Sequence, residues 1–554
     1  MNKKLKHIIF ASLLIILFGG CELDTKDDFW HTEETLKTTY GYLFGFAHRP
    51  YTYIPNGFKA IDNNLFAAVT DEAQYVTNTS QTQRFNEGSW NKYNNPDDRF
   101  STFYRGIHDV YYALENTTNY VEALLTGRDT TTSNGKDNYL RDIENMNWLL
   151  KEIKAVEAYY YFELFKRYGG VPVIEGTFDD NPDGANIPRA DVDEIVHHIV
   201  KLIDDVKDEL VIDWSDTGFI TRKGRVTKGV ALAIKSSALL YAASPLFNPE
   251  GDVSKWEAAA AAASEIIEMN KYSLDPSYRN LFKTSYTINS PEVIWSLRMG
   301  ETNELERENY PIGTPGGATG IAPSHNLVEA YEHKGEVTSN PYENLDPRFY
   351  ATILKNGDSW NGRTLEIFDE GADDPARENT SPTGYYLKKF LNENLNLIDN
   401  KFEIRSWIIF RYGEVLLNYA EAMNEAYGPD DNHGYLMTAR EALNMVRGRP
   451  GVEMPPVNNG ETKNEMREII KHERRIELAF EGHRYWDLKR WGDAENVLNQ
   501  PVKGVKVTKD GENFTYAVVN IANRKFDASK MYLYPISESD IVRSDGVLEQ
   551  NPNW

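Results

Sequence analysis

Few side chains in this sequence carry a spacing that chemistry demands. Cys21 is the single cysteine in 554 residues. It is open to reading as a catalytic thiol, a buried small hydrophobe or a point of attachment, and its count excludes a disulfide within the chain. The eleven histidines are scattered. His197 and His198 are adjacent on a predicted helix, so they point to different faces and cannot chelate one ion together. HERRI (472–476) resembles half of a zinc-protease motif, but Ile476 stands where the second histidine belongs. GTPGGATG (313–320) is rich in glycine yet lacks the Gly-Lys-Ser/Thr of a phosphate loop. No Gly-x-Ser-x-Gly nucleophile elbow occurs. Glycoside hydrolysis needs two acids set across a sugar. Among 84 acidic residues nothing singles out such a pair.

Charge and rings point elsewhere. The formal balance of 60 basic and 84 acidic residues gives −24, which argues against nucleic acid, because phosphate binding needs a basic footprint. Aromatic residues make up 12% of the chain, with 33 Tyr and 11 Trp. A flat ring can stack on a sugar face while a tyrosine hydroxyl hydrogen-bonds, although helix packing accounts for most rings in such a chain.

The N-terminus divides from the rest. Lys3, Lys4 and Lys6 form a basic region, and Ile8 to Phe18 an apolar run of signal-peptide length. The run is short of the ~20 apolar residues that span a bilayer. Gly19 and Gly20 precede Cys21 as small residues precede a lipoprotein cleavage site, with Phe18 where Leu is usual. The sequence therefore predicts a signal peptide over 1–20 and acylation of Cys21. Lys26-Asp27-Asp28 follows as an acidic, solvated tether.

From about residue 30 the pattern is helical. In RYGEVLLNYAEAMNEAY (411–427), Val415, Leu416, Tyr419, Ala420, Met423 and Ala426 form one face. Glu414, Asn418, Glu421 and Glu425 form the other. Thr438 and Glu441 fit a capping box at the start of the next helix. Further pairs read over 147–170 with 191–210, and over 226–242 with 253–270, so repeated helix pairs predict a tetratricopeptide-like array. Residues 275–404 differ, being rich in Gly, Pro, Asn and Asp, with candidate strands EVIWSLR (292–298) and YATILKN (350–356). Trp295 reads as strand core. The fold class expected is mostly α, with helix pairs forming a superhelical scaffold (21–274 and 405–554) and a loop-rich, partly β insertion (275–404) as the ligand-binding lobe.

Several stretches resemble one family, the SusD/RagB-like outer-membrane nutrient-binding lipoproteins of Bacteroidetes. RYGEVLLNYAEAMNEAY and ERRIELAFEGHRYWDLKRWG (473–492) resemble its two signature helices. AVEAYYYFELFKRYGGVPVI resembles its aromatic helix, and YLYPISESDI and QNPNW fit its C-terminus. In 473–492, Glu473, Glu477 and Arg484 are placed to form ion pairs. The resemblance implies a non-catalytic protein on the cell surface, lipid-anchored in the outer membrane, delivering an oligosaccharide to a SusC-like TonB-dependent transporter. It places Asp71, Arg84 and Trp90 where relatives carry polar and stacking groups. Turn contexts add Tyr310 and Trp360 as ligand platforms. No cofactor is implied, and a loop-stiffening calcium ion has no support in the sequence. Starch, fructan, host glycan and peptide all stay open as ligands, with a lipid-anchored glycan hydrolase as the alternative. Cys21→Ser should leave the protein folded but release it from the membrane, read by fractionation; continued membrane retention would overturn the assignment of Cys21.

Overall fold

The computed structural model describes residues 39–77, 81–176, 187–219 and 222–554. The segment expected to be a signal peptide, Cys21 and the expected acidic tether lie outside the described residues. Two compact units emerge. The smaller, from residues 39–47 and 113–147, is helical, with Asn145 Nδ2 donating to the Tyr40 hydroxyl at 2.6 Å. The larger holds His48–Tyr112 and Trp148–Trp554 and contains both cores, the ion network and the cleft described below.

The elements that matter are α1 (Phe100–Asn116), α2 (Ser133–Tyr168), α3 (Val192–Asp204), α4 (Lys228–Ala243) and α5 (Val253–Glu268). There follow β1 (Val293–Thr302), β2 (Glu403–Arg411), α6 (Tyr412–Tyr427), α7 (Ala439–Arg447), α8 (Lys463–Glu477) and α9 (Arg484–Trp491). A hairpin of β3 (Val502–Asp510) and β4 (Asn513–Ala522) comes last. From α3 each helix packs on the next through α4, α5 and α6, and α6 then meets both α7 and α8. The expected pairing of 226–242 with 253–270 and of α6 with α7 is therefore present, and α2 touches α3 where the Tyr161 and His198 rings lie 4.9 Å apart. Local signals set their ends: Asp191 with Glu194, Thr438 with Glu441 and Thr462 with Glu465 form capping boxes.

In the second half of α2 all sides are buried. Its tyrosines tolerate this because their hydroxyls find partners. Tyr160 donates to the Pro50 carbonyl, Tyr161 to that of Ile174 at 3.2 Å, and Tyr168 to Asp98 at 2.7 Å. Gly169, at φ +71°, ends the helix, the left-handed position that favours glycine.

Two cores form. The larger lies among the helices, with Trp295 of β1 in it, 2% exposed and donating its indole N–H to the Gly224 carbonyl at 3.0 Å. The second gathers much of 275–404 around Phe349, Trp360, Tyr385 and Tyr386, with Phe480 and Val505 entering from the C-terminal region. The strand expected at 350–356 is mostly absent: Pro347–Thr352 is a helix, followed by the two-residue strand Ile353–Leu354. Asp346 caps that helix through the Arg348 N–H, and Pro347 fits its first turn.

Residues 473–492 are two helices and not one. Between α8 and α9 the chain turns through Phe480, at φ +67°, and Gly482, at φ +84°. A left-handed backbone costs an L-residue roughly 1–2 kcal/mol. Burying the Phe480 ring, fully inaccessible, returns about 1.5–3 kcal/mol.

This corner is fixed by a buried ion network. Glu477 Oε1 accepts from Arg449 Nη2 at 2.6 Å and Arg411 Nη1 at 2.7 Å, and Oε2 from Arg348 Nη1 at 2.9 Å. Arg411 and Arg449 also hold Glu292, and Arg348 also holds Glu473 and Asp346. Burial alone would raise the Glu477 pKa, but the three guanidiniums outweigh it and hold it well below the usual carboxylate range. Breaking such a pair strands a buried charge, at about 3–5 kcal/mol. Glu477→Ala should therefore lose about that much unfolding free energy in denaturant melts, whereas Asp205→Ala, which removes an exposed pair with Lys201, should lose under about 1 kcal/mol. Equal effects would show that the network has no special weight.

Candidate functional site

Where the corner meets α2, α4, β2 and α6, a small cleft of about 120 Å³ enters the large unit. Helix α2 supplies one wall, with Tyr159, Phe162, Glu163 and Lys166 at helical spacing. Trp407 and Phe410 come from β2, Tyr241 and Ser237 from α4, Glu414 from the first turn of α6, and Glu481, Gly482, His483 and Trp486 from the corner and α9.

Trp407 is held from behind. Phe58 and Phe390 pack on it at ring distances of 5.0 and 5.7 Å. Gly57 lies flat against the indole, where a Cβ would fall 1.9 Å from the ring. Only glycine fits at that approach.

Most of the charges in the cleft already have partners. Glu163 accepts from Lys166 Nζ at 2.5 Å and from Arg167. Lys166 also lies 5.1 Å and 4.9 Å from the Phe162 and Trp486 ring centres, within cation–π range. Burial lowers the Lys166 pKa, with Glu163 opposing. Glu481 accepts from Lys389 at 2.8 Å and from Arg411 at 2.7 and 2.8 Å. Burial would raise the carboxyl pKa of Glu163 and of Glu481, but their cations bring each below the ordinary value. Two acceptors differ. Glu414 Oε2 and Ser237 Oγ are buried and have no hydrogen-bond partner among the described residues. The His483 ring nitrogen lies 3.9 Å from Glu414 Oε2. Both Glu414 Oε2 and Ser237 Oγ are closed off from the open face of the cleft. Among the described residues no His/Cys/Asp/Glu cluster is arranged to hold a metal ion.

The residues singled out in the sequence lie elsewhere. Trp90 is 2% exposed, stacked on Phe85 at 4.8 Å and closed off by Tyr534 and Trp554. It has no face for a ligand. Its small polar neighbours serve a tight turn: Gly88, at φ +64°, passes so close to Lys525 and Met531 that a Cβ would fall 2.9 Å from each. Tyr310 and Trp360 are also buried, packed edge-on at 5.3 Å, and the Tyr310 hydroxyl donates to the carbonyls of Asn392 and Leu395. Asp71 accepts from Arg484 at 2.9 and 3.0 Å and from Arg475 at 2.7 Å, so it ties the N-terminal region to α8 and α9. Arg84 alone of the five is part-exposed, on the short helix Gln81–Glu87. None of the five lines the cleft. Sequence reading passed over the cleft because its α2 rings read as packing. The available signal was Glu163 and Lys166, two charged residues inside an aromatic helix. The loop after Trp90 does present one ring, Tyr93, 74% exposed.

Comparison with known proteins agrees with this architecture. Residues 291–554 match the SusD family. The chain is similar to SusD/RagB-like proteins. It is 28% identical over 373 residues to SusD-like protein P38 of Formosa agariphila, covering 64% of this chain and 68% of that protein. SusD-like protein P2 of the same organism is 25% identical over 428 residues, covering 75% and 76%. A SusD-like protein from Bacteroides fragilis superposes with a TM-score of 0.76 at 22% identity, over 94% of this chain and 99% of that one. A SusD-like carbohydrate binding protein from the same species gives 0.73 at 22% identity, over 93% and 99%. These likenesses establish a mostly helical, SusD-like fold.

Beside Asp71, Glu72 is 1% exposed and accepts the Phe480 N–H at 3.3 Å. Burial, then the Asp71 charge, pushes its carboxyl up to about 8 from 4.5. Between those values the folded state holds a proton that the unfolded state has released, so this group's contribution to stability falls as pH rises from 4.5 to 8. Glu72→Gln removes that dependence. In denaturant melts the variant should gain stability relative to the wild type between pH 5 and pH 8; a constant difference across that range would contradict the assignment.

Proposed function

We propose that this protein is a glycan-binding lipoprotein of the cell surface, lipid-anchored in the outer membrane through Cys21. It captures an oligosaccharide and delivers it to a SusC-like TonB-dependent transporter. The observation that carries the reading is the SusD family match over residues 291–554, set beside an aromatic-walled cleft. Rings offer apolar surface to the C–H face of a sugar. The carbohydrate-binding relative with the same fold supports it. Among the described residues no helix is long and apolar enough to cross a membrane, so a lipid at Cys21 is the attachment the reading requires.

The electrostatics favour binding over hydrolysis. A glycosidase acid must keep its proton near neutral pH. Glu163 and Glu481 are instead held ionised by their cations.

Titration calorimetry of residues 22–554 against a glycan panel tests the reading. At least one glycan should bind with micromolar affinity, about 8 kcal/mol, and should emerge uncut. Ala60→Trp, at the part-exposed rim of the cleft, should weaken that binding by about 10-fold or more. Unchanged affinity in this variant would move the site out of the cleft, and shorter products would overturn the non-catalytic reading.

A further inference from the structure

A second cavity in the large unit shares no lining residue with the cleft. It is an open trough of about 460 Å³, within the range of small-molecule sites. Its walls are apolar: Phe100 and Tyr104 of α1, Pro172 and Ile174 after α2, Ile187 before α3, and Leu548 near the C-terminus. Phe100 and Tyr104 stand one turn apart, so their rings share a face of α1, with 4.8 Å between centres. Hydrogen bonds join the segments. The Tyr104 hydroxyl donates to the Pro172 carbonyl at 2.6 Å. Arg189 donates to the Gly170 carbonyl at 2.6 Å and to the Glu549 carbonyl at 2.8 Å, which ties the Ile187 wall to the Leu548 wall. Walls held in this way need little ordering when a ligand enters.

Charge sits at the rim. Asp540 is already committed: it accepts the hydroxyls of Ser101 at 3.2 Å and Ser537 at 2.7 Å, and Arg543 at 3.3 Å. The His108 ring lies 3.3 Å from Asp109. Arg105, one turn after Ser101, is exposed, and among the described residues no ion pair involves it. In a chain of net charge −24, this leaves an unneutralised guanidinium at the mouth of an apolar trough. Its planar fork matches a carboxylate. A sugar lying in the trough would instead turn hydroxyls against apolar walls without partners. From the walls and this charge we infer that the trough is a second binding site, for an amphipathic carboxylate. The alkyl chain lies along the apolar walls and the carboxylate meets Arg105. This site is independent of the glycan reading of the cleft.

The test is titration calorimetry of residues 22–554 with hexanoate, octanoate, decanoate and octanol. Each added methylene should tighten binding about 4-fold while the trough fills, the factor that corresponds to burying one such group. Octanoate should bind more tightly than octanol. Arg105→Glu, at an exposed position without an ion pair, should weaken octanoate by about 10-fold or more and leave octanol unchanged. Ile187→Asp, with denaturant melts to confirm folding, puts an acid into the apolar wall and should weaken both ligands. No binding by the folded protein, affinity that ignores chain length, or octanoate binding unchanged in Arg105→Glu would each overturn the inference. Octanoate binding that survives Ile187→Asp would overturn it too, by placing the ligand outside the trough. None of these outcomes alters the reading of the cleft.

Discussion

The fold turns on a carboxylate that water does not reach. Glu477 has no accessible surface and is shared by Arg348, Arg411 and Arg449. Each ion costs several kcal/mol to desolvate, and only a fully partnered arrangement offsets that. The network therefore discriminates among packings more than it adds stability. Its members come from distant places: Glu292 just before β1, Arg348 in the 275–404 segment, Arg411 at the joint of β2 and α6, Arg449 beyond α7 and Glu473 on α8. Satisfying all of them at once fixes β2, α6 and α8 relative to one another and to the second core.

From that anchor the cleft follows by short steps. With Glu477 pinned at the end of α8, the chain turns left-handed at Phe480 and sends its ring into the second core. The next residue, Glu481, returns to Arg411 and Lys389, so the network continues through the turn. Gly482 and His483 are thereby laid along the cleft, and α9 starts where Trp486 completes its wall. The polar stripe of α6 uses the same device. Arg490 grips Glu421 at 2.5 and 2.7 Å, and Arg467 grips Glu425 at 2.6 and 2.5 Å, so both sides of that helix are internal.

What was legible in the sequence is what is decided locally. The capping box at Thr438 and Glu441, the end of α6 and the core position of Trp295 follow from neighbours within one turn or strand. The ion pairing of Glu473, Glu477 and Arg484 was also readable, because charges within an apolar helical pattern need partners. The break at Phe480 was not, since its strain is offset by tertiary burial. Trp90, Tyr310 and Trp360 misled for a related reason. Polar and glycine neighbours report how sharply the backbone turns and not which way the ring faces. The division at 275–404 reflects composition, yet that segment lines none of the cleft and acts on it from behind, through Lys389.

The charges that line the cleft also carry the fold. Glu163 and Glu481 face the cleft but are tied to arginines and lysines on their other side. Changing either would strand buried cations, so the fold constrains both. Trp407 is similarly fixed by Gly57 and Phe58. Glu414 Oε2 and Ser237 Oγ hold nothing in place by hydrogen bonding among the described residues. A scaffold built in this way keeps its walls where Glu477 and its arginines hold them.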